Sequence, residues 1–118
     1  MFIRSKLQVI FQDLERIDEK LLTYVIGTIG PVTALIDASQ PSFQLYKSGI
    51  YYDKKCKSNL PNHVVSIVGY GSENGDDFYI VKNSWGTHWG EKGYIRMSRN
   101  KDNNCGIASN VSYPYYQL

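Results

Sequence analysis

Sulfur and imidazole are scarce in this chain: 118 residues include two cysteines, Cys56 and Cys105, and two histidines, His63 and His88. These four lack the close paired spacing of structural zinc sites, so no metal or other cofactor is expected on them. Long apolar runs are missing too. No stretch reaches the roughly 18 consecutive apolar residues of a membrane-spanning helix, so no membrane partner is expected. In the opening "MFIRSKLQVIFQDLERIDEK" the apolar part is broken by Gln8, Gln12 and Asp13 before a signal-peptide core forms, and no export signal is read in the chain as written. Charge of one sign is not in excess either. Thirteen basic and 11 acidic side chains leave a formal charge of +2, and the bases are scattered among the acids, which argues against nucleic acid as a partner. Repeats, low-complexity segments and linkers are also missing.

The remaining composition, 42% hydrophobic and 20% charged, is that of a soluble globular protein long enough for one core. Apolar residues at 14, 17, 21, 22, 25, 26 and 29 form a stripe at helical period. They predict a helix between Asp13 and Ile29, with Asp13 or Asp18 as its cap and Gly27 and Gly30-Pro31 at its end. "VTALIDA" then reads as a strand, "SQPSFQLYKSG" as a loop and "IYYD" as a short extended piece. "HVVSIVGYG" (63–71) and "DFYIVKNSW" (77–85) are β-rich runs joined by "SENGD", a hairpin. "GYIRMSR" is a further strand, and "GIASNVSYPYY" ends the chain in a tyrosine-rich extended tail. One helix followed by several antiparallel strands makes an α+β domain, mainly antiparallel β, with a curled sheet.

Chemistry is sought first at the open ends of the hairpin, where His63 and Asn83 stand. With the turn centred on residue 73, paired positions sum to 146 and these two residues face each other. Their Cβ atoms would then lie roughly 4.5–5.5 Å apart, and the amide oxygen would accept from the imidazole. A tight turn on Asn74-Gly75 would instead set the sum at 149 and put His63 opposite Gly86. An imidazole oriented by an amide is the base half of a nucleophile, base and orienter arrangement. The plainer alternative, a strand-end histidine bonded to backbone, stays open on spacing alone. His88, in the turn "GTHWG", is expected to be exposed. "NVS" at 110–112 has the N-glycosylation pattern, a three-residue motif frequent by chance. Neither cysteine has a setting that would lower a thiol pKa.

Longer motifs are more specific. "NHVVSIVGYG" followed by "YIVKNSWGTHWGEKGYIRMSRNKDNNCGIAS", together with "IGPVTALIDAS" and "YKSGIYYDKKC", resembles the C-terminal half of papain-like cysteine proteases, close to the cathepsin L type. The resemblance covers 19–118 and leaves 1–18 as an unmatched N-terminal segment. It implies the barrel-like, β-rich C-terminal domain of that fold, with one N-terminal helix. It also implies that His63 is the catalytic base, Asn83 its orienter and Trp85 the cover over their contact, with Trp89 lining the leaving-group side of the cleft. Gly86, Gly90 and Gly93 would permit tight turns around the two indoles. By the same resemblance Cys56 and Cys105 form a disulfide, worth about 4 kcal/mol in chain entropy, in a lysosomal or extracellular setting. Leu35, Val64 and Asn110 match the second specificity subsite, Pro61 its rim, and Asn62 offers its backbone carbonyl to substrate. A glycan on Asn110 would obstruct that pocket.

The family's "CGSCW" nucleophile motif does not occur in these residues, nor does its oxyanion-hole glutamine. The expected function is therefore that of a cysteine-peptidase domain supplying base and orienter, inactive as an isolated chain, with peptide or protein substrates and the Cys-bearing half as partners. The alternative is a non-enzymatic half-domain that binds peptides or proteases.

Overall fold

The computed structural model describes residues 8–57 and 60–117. The chain opens on a strand, β1 (Gln8–Glu15), which pairs along its whole length with the last strand, β7 (Asn110–Gln117), from Gln8 opposite Gln117 to Glu15 opposite Asn110. Arg16 then takes a left-handed conformation at φ 50°. The turn is held by Arg16 N–H donating to the Ser109 carbonyl at 2.9 Å and Ile17 N–H to that of Ala108 at 3.2 Å. Helix α1 (Glu19–Thr28) follows, capped by Asp18, whose Oδ1 accepts from Leu21 N–H at 2.7 Å.

The expected helix thus exists, but it is shorter than its apolar stripe, and a strand precedes it. Leu22, Val25 and Ile26 bury the helix face, whereas Leu14 belongs to β1 and Ile17 to the connection. Both still pack on the core. The stripe reported burial except at Leu21 and Ile29, which are exposed, and its continuation upstream at helical spacing mimicked one more turn. At the far end the Ile29 and Gly30 N–H groups donate to the Val25 carbonyl, and Pro31 prevents any continuation.

β2 (Val32–Ile36) pairs with β4 (His63–Glu73) through Leu35 opposite Val64 and Ile36 opposite His63, and on its other side with β7. The expected loop after β2 contains a short helix, α2 (Pro41–Gln44), with Phe43 fully buried. β5 (Asp76–Lys82) returns along β4, β6 (Tyr94–Ser98) along β5, and β3 (Ile50–Tyr51) runs parallel to β6 as the one parallel pair among the described residues. The order β1-β7-β2-β4-β5-β6-β3 makes one seven-stranded, largely antiparallel sheet. The inward residues of β2, β4, β5 and β6, among them Ile36, Ile67, Val81 and Ile95, are fully buried. Each contributes about 2 kcal/mol by removal from water.

The hairpin register differs from the one that placed His63 opposite Asn83. Asn74 and Gly75 both have positive φ, 53° and 85°, the two-residue turn whose twist suits adjoining strands. Glu73 therefore faces Asp76, and the pairing sum is 149 as far as Gly69 and Ile80. A bulge between Ile67 and Gly69 shifts the register by one, and the ladder ends at Ser66 opposite Lys82. His63 and Asn83 are not ladder partners.

Two tethers fix the connections. Cys56 and Cys105 form a disulfide with Cα atoms 4.7 Å apart, both nearly inaccessible. The Glu19 carboxylate accepts from the buried Tyr79 hydroxyl at 2.8 Å and from Asn100 and Asn103 N–H at 2.8 and 3.1 Å. It thereby joins the start of α1 to the β6–β7 connection, while burial holds the Tyr79 phenol well above its ordinary pKa.

Candidate active site

His63 begins β4, where pairing with Ile36 turns its side chain to the core face of the sheet, and Val64, one residue on, turns to the other face. Asn83 lies just past β5, and its N–H donates to the Gly93 carbonyl at 3.1 Å. The segment between β5 and β6 folds back on itself and carries Asn83 towards His63. Imidazole Nε2 and the amide Oδ1 are 2.7 Å apart. Asn83 Oδ1 also accepts from Ser84 N–H at 2.8 Å. That second bond comes from an obligate donor, so the atom facing the imidazole is the oxygen, and Nε2 must carry the hydrogen. Nδ1 is then the basic nitrogen of the neutral ring.

Asn83 is 6% exposed, which keeps water from competing for this bond. Its Nδ2 is buried without a hydrogen-bond partner among the described residues. Such an orphan costs on the order of 1–3 kcal/mol, a cost carried at the residue that orients the ring. Trp85 lies 4.9 Å from the imidazole, centroid to centroid, at 38°. Its 41% exposure means that it shields the site from one side. The indoles of Trp85 and Trp89 meet edge to face at 5.3 Å, and the Trp89 Nε1–H donates to the Gln44 carbonyl at 3.1 Å.

The residue that unites this cluster was not singled out by sequence. Phe43 packs against His63, Trp85 and Trp89 at 6.4, 5.5 and 5.3 Å. The available signal was Pro41, which favours the first turn of a helix and marks where α2 turns Phe43 inward.

Gly86, Gly90 and Gly93 all have positive φ, 94°, 60° and 92°. At Gly90 a Cβ would lie 2.5 Å from the Tyr94 carbonyl oxygen, whereas at Gly86 it would meet nothing within 4 Å. Steric obstruction by a Cβ thus holds at Gly90, and Gly86 is a matter of dihedral freedom. His88 is exposed.

Of the residues expected at the specificity subsite, Asn62 and Val64 flank His63 in the chain, Pro61 precedes them, and Leu35 and Asn110 lie on β2 and β7. Leu35 faces Val64 across the β2–β4 ladder on the outer side of the sheet. Leu35 and Asn110 line a cavity of about 270 Å³ that Thr33, Ser112, Asp13 and Glu15 complete. Pro61 and Asn110 line a second, of about 470 Å³. Beside Leu14 and Val111, the first cavity is walled by the two β1 carboxylates. Sequence reasoning missed them because β1 itself was not foreseen. Asn62 stands at the entry to β4, its N–H donating to the Ile36 carbonyl at 2.9 Å.

Comparison with known proteins agrees with the fold and the motifs. Residues 5–115 match the family described as "Papain family cysteine protease", a span that includes β1. The chain is similar to a cathepsin L-like peptidase of Aedes aegypti, 50% identical over 88% of this chain and 31% of that protein. Digestive cysteine proteinase 2 of Homarus americanus is 55% identical over 79% of this chain and 29% of its own length. Among solved structures, digestive procathepsin L 3 from the larval midgut of Tenebrio molitor superposes with a TM-score of 0.84 at 49% identity, over 88% of this chain and 34% of that one. Bromelain from Ananas comosus gives 0.80 at 41%, over 88% and 48%. The chain therefore spans about a third of the length of the curated relatives and a third to a half of the solved chains, the part that forms the C-terminal domain of the papain-like fold. It belongs to the papain family of cysteine proteases and is cathepsin L-like.

Proposed function

We propose that this chain is the base-bearing part of a cysteine endopeptidase, with His63 as the general base and Asn83 as the residue that orients it. The observation that carries this reading is the 2.7 Å contact between His63 Nε2 and a buried Asn83 Oδ1. It commits Nε2 to the amide and leaves Nδ1 as the nitrogen that can take a proton from a nucleophile. Both cysteines are in the disulfide, so the attacking thiolate comes from outside these 118 residues. Trp85, Trp89 and Phe43 form the dry wall behind the pair. Leu35, Val64 and Asn110, with Pro61 and the Asn62 carbonyl, are assigned to substrate, and the working compartment is lysosomal or extracellular, where a disulfide persists.

The test is to refold the chain together with the Cys-bearing half of a cathepsin L-type relative and to follow a fluorogenic peptide. The expected result is turnover that a thiol alkylator abolishes, with His63→Ala losing about a hundredfold or more. A folded two-part complex that binds peptide without cleaving it would refute the peptidase reading and favour a binding half-domain. Cleavage by the chain alone would refute the requirement for an external thiolate.

A further inference from the structure

The loop that delivers His63 is held by a side chain outside the catalytic pair. Asp37, immediately after β2, is 3% exposed. Its Oδ1 accepts from the Asn62 Nδ2 at 2.9 Å and from the N–H and hydroxyl of Ser39 at 3.0 and 2.6 Å. The other end of the Asn62 amide accepts from Ala38 N–H at 3.0 Å. The Asn62 side chain is therefore gripped at both its oxygen and its nitrogen, by two consecutive residues of one segment, and the geometry fixes its orientation without ambiguity.

Asp37 is itself anchored. Its N–H donates to the Cys105 carbonyl at 2.9 Å, and its own carbonyl oxygen touches Cys56 Sγ at 3.1 Å, so the disulfide brackets it from both ends. Burial acts to raise the Asp37 pKa, yet the bonds from Ser39 and Asn62 outweigh it and hold the carboxyl below its ordinary range, ionised at neutral pH. A buried carboxylate bonded in this way is strong and directional.

We infer that Asp37 is a positioning residue of the cleft, which acts through Asn62 to fix the peptide unit between Asn62 and His63. This rests on the reading of His63 as the base and of the Asn62 carbonyl as an acceptor for an extended peptide. Asp37 itself touches no substrate. Its carboxylate prevents the Asn62 side chain from rotating, and the Asn62 N–H bond to Ile36 completes the restraint. The carbonyl that meets substrate is thereby held in one direction before substrate arrives, which lowers the ordering cost of binding.

The experiment compares Asp37→Ala, Asp37→Asn, Asn62→Ala and the Asp37→Ala/Asn62→Ala double variant in the full chain. Amide hydrogen exchange by NMR is the first readout. Ala38 N–H is expected to exchange at least about tenfold faster in Asp37→Ala, while Val65 in the adjoining ladder moves by less than about threefold. Asp37→Asn keeps an acceptor oxygen and is expected to restore Ala38 protection, which also covers the case that Asp37→Ala does not fold. The double variant is expected to match Asn62→Ala alone, because Asp37 acts through Asn62. Unchanged Ala38 exchange in Asp37→Ala, or additive effects in the double variant, overturns the inference.

The second readout is steady-state kinetics in the refolded two-part peptidase. Asp37→Ala is expected to raise KM about tenfold with kcat within about threefold, the signature of lost ground-state binding. A fall in kcat with KM unchanged overturns it. Failure of the unmutated complex to turn over refutes the peptidase reading, and the exchange data still decide whether Asp37 holds Asn62.

Discussion

Replacing both Cys56 and Cys105 by alanine is expected to cost about 4 kcal/mol of folding stability. The figure follows from topology: the bond closes a loop across a sequence separation of 49. Tying the ends of a loop of that length removes about 14 cal/mol/K from the unfolded chain in the loop-entropy model, about 4 kcal/mol at 25 °C. Both sulfur-bearing side chains are buried, Cys56 to 5% and Cys105 to 1% exposure, so the substitution also forfeits packing and the entropic figure is a lower bound. Domains of this size are stable by only about 5–15 kcal/mol, so the loss removes a large part of the margin. Equilibrium urea unfolding of the oxidised chain and the double variant, at equal concentration and with intact disulfide verified by mass, measures it. With an m-value of about 1–3 kcal/mol/M, the midpoint falls by roughly 1.3–4 M. A difference below about 1 kcal/mol would refute the reasoning, because the unfolded chain would then already hold residues 56 and 105 close together.

Gly90→Ala is expected to destabilise by more than about 2 kcal/mol, since its Cβ would collide with the Tyr94 carbonyl at a positive φ, whereas Gly86→Ala, in open space, costs about 1 kcal/mol; urea midpoints of the two variants give the comparison. Asn83→Ala is expected to leave the fold intact while removing the acceptor at His63 Nε2, so the ring 15N shifts should report a changed tautomer balance and activity of the two-part enzyme should fall at least about tenfold. Acid should unfold the chain through Asp37 and Glu91. Bonds from Ser39 and Asn62 lower the first against its burial, and the Arg96 guanidinium lowers the second. A folded pKa below the unfolded one gives stability that is present above pH ~4 and lost as pH falls through the folded value. Glu91→Gln should therefore flatten the acid limb of stability against pH, and an unchanged limb would count against its pairing with Arg96.

The sheet was legible because its strands carry local signals. β2, β4, β5 and β6 are β-branched or aromatic runs, and Asn74-Gly75 marks a two-residue turn by its own chemistry. β1 was not legible. Its partner β7 lies about a hundred residues away in sequence, and the residues of β1 are mostly exposed, so neither alternation nor a neighbouring turn announces it. The helix boundary failed for a related reason. Leu14 and Ile17 are apolar because they pack on the core, and spacing alone cannot say whether a buried residue sits on a strand, a link or a helix.

The site shows how an expected contact, His63 to Asn83, can be made by a different path. Cross-strand opposition selected His63 and Asn83, yet the ladder stops at Ser66 and Lys82, and the contact is made beyond it by the returning segment with Gly90 at its tight point. What survives the change of register is chemistry. An imidazole at a strand end needs a partner for one nitrogen, and a buried amide needs a donor for its oxygen. The distant Trp-Gly turns satisfy both at once. Phe43, Asp37 and the β1 carboxylates escaped notice because each acts through contacts that only the folded chain assembles: an aromatic stack, a grip on a neighbouring amide, and a cavity wall supplied by the chain's first strand. Long motifs name the candidate groups of the site. The groups that hold those groups still are spread through ordinary-looking sequence, and a packed sheet is what brings them within bonding distance.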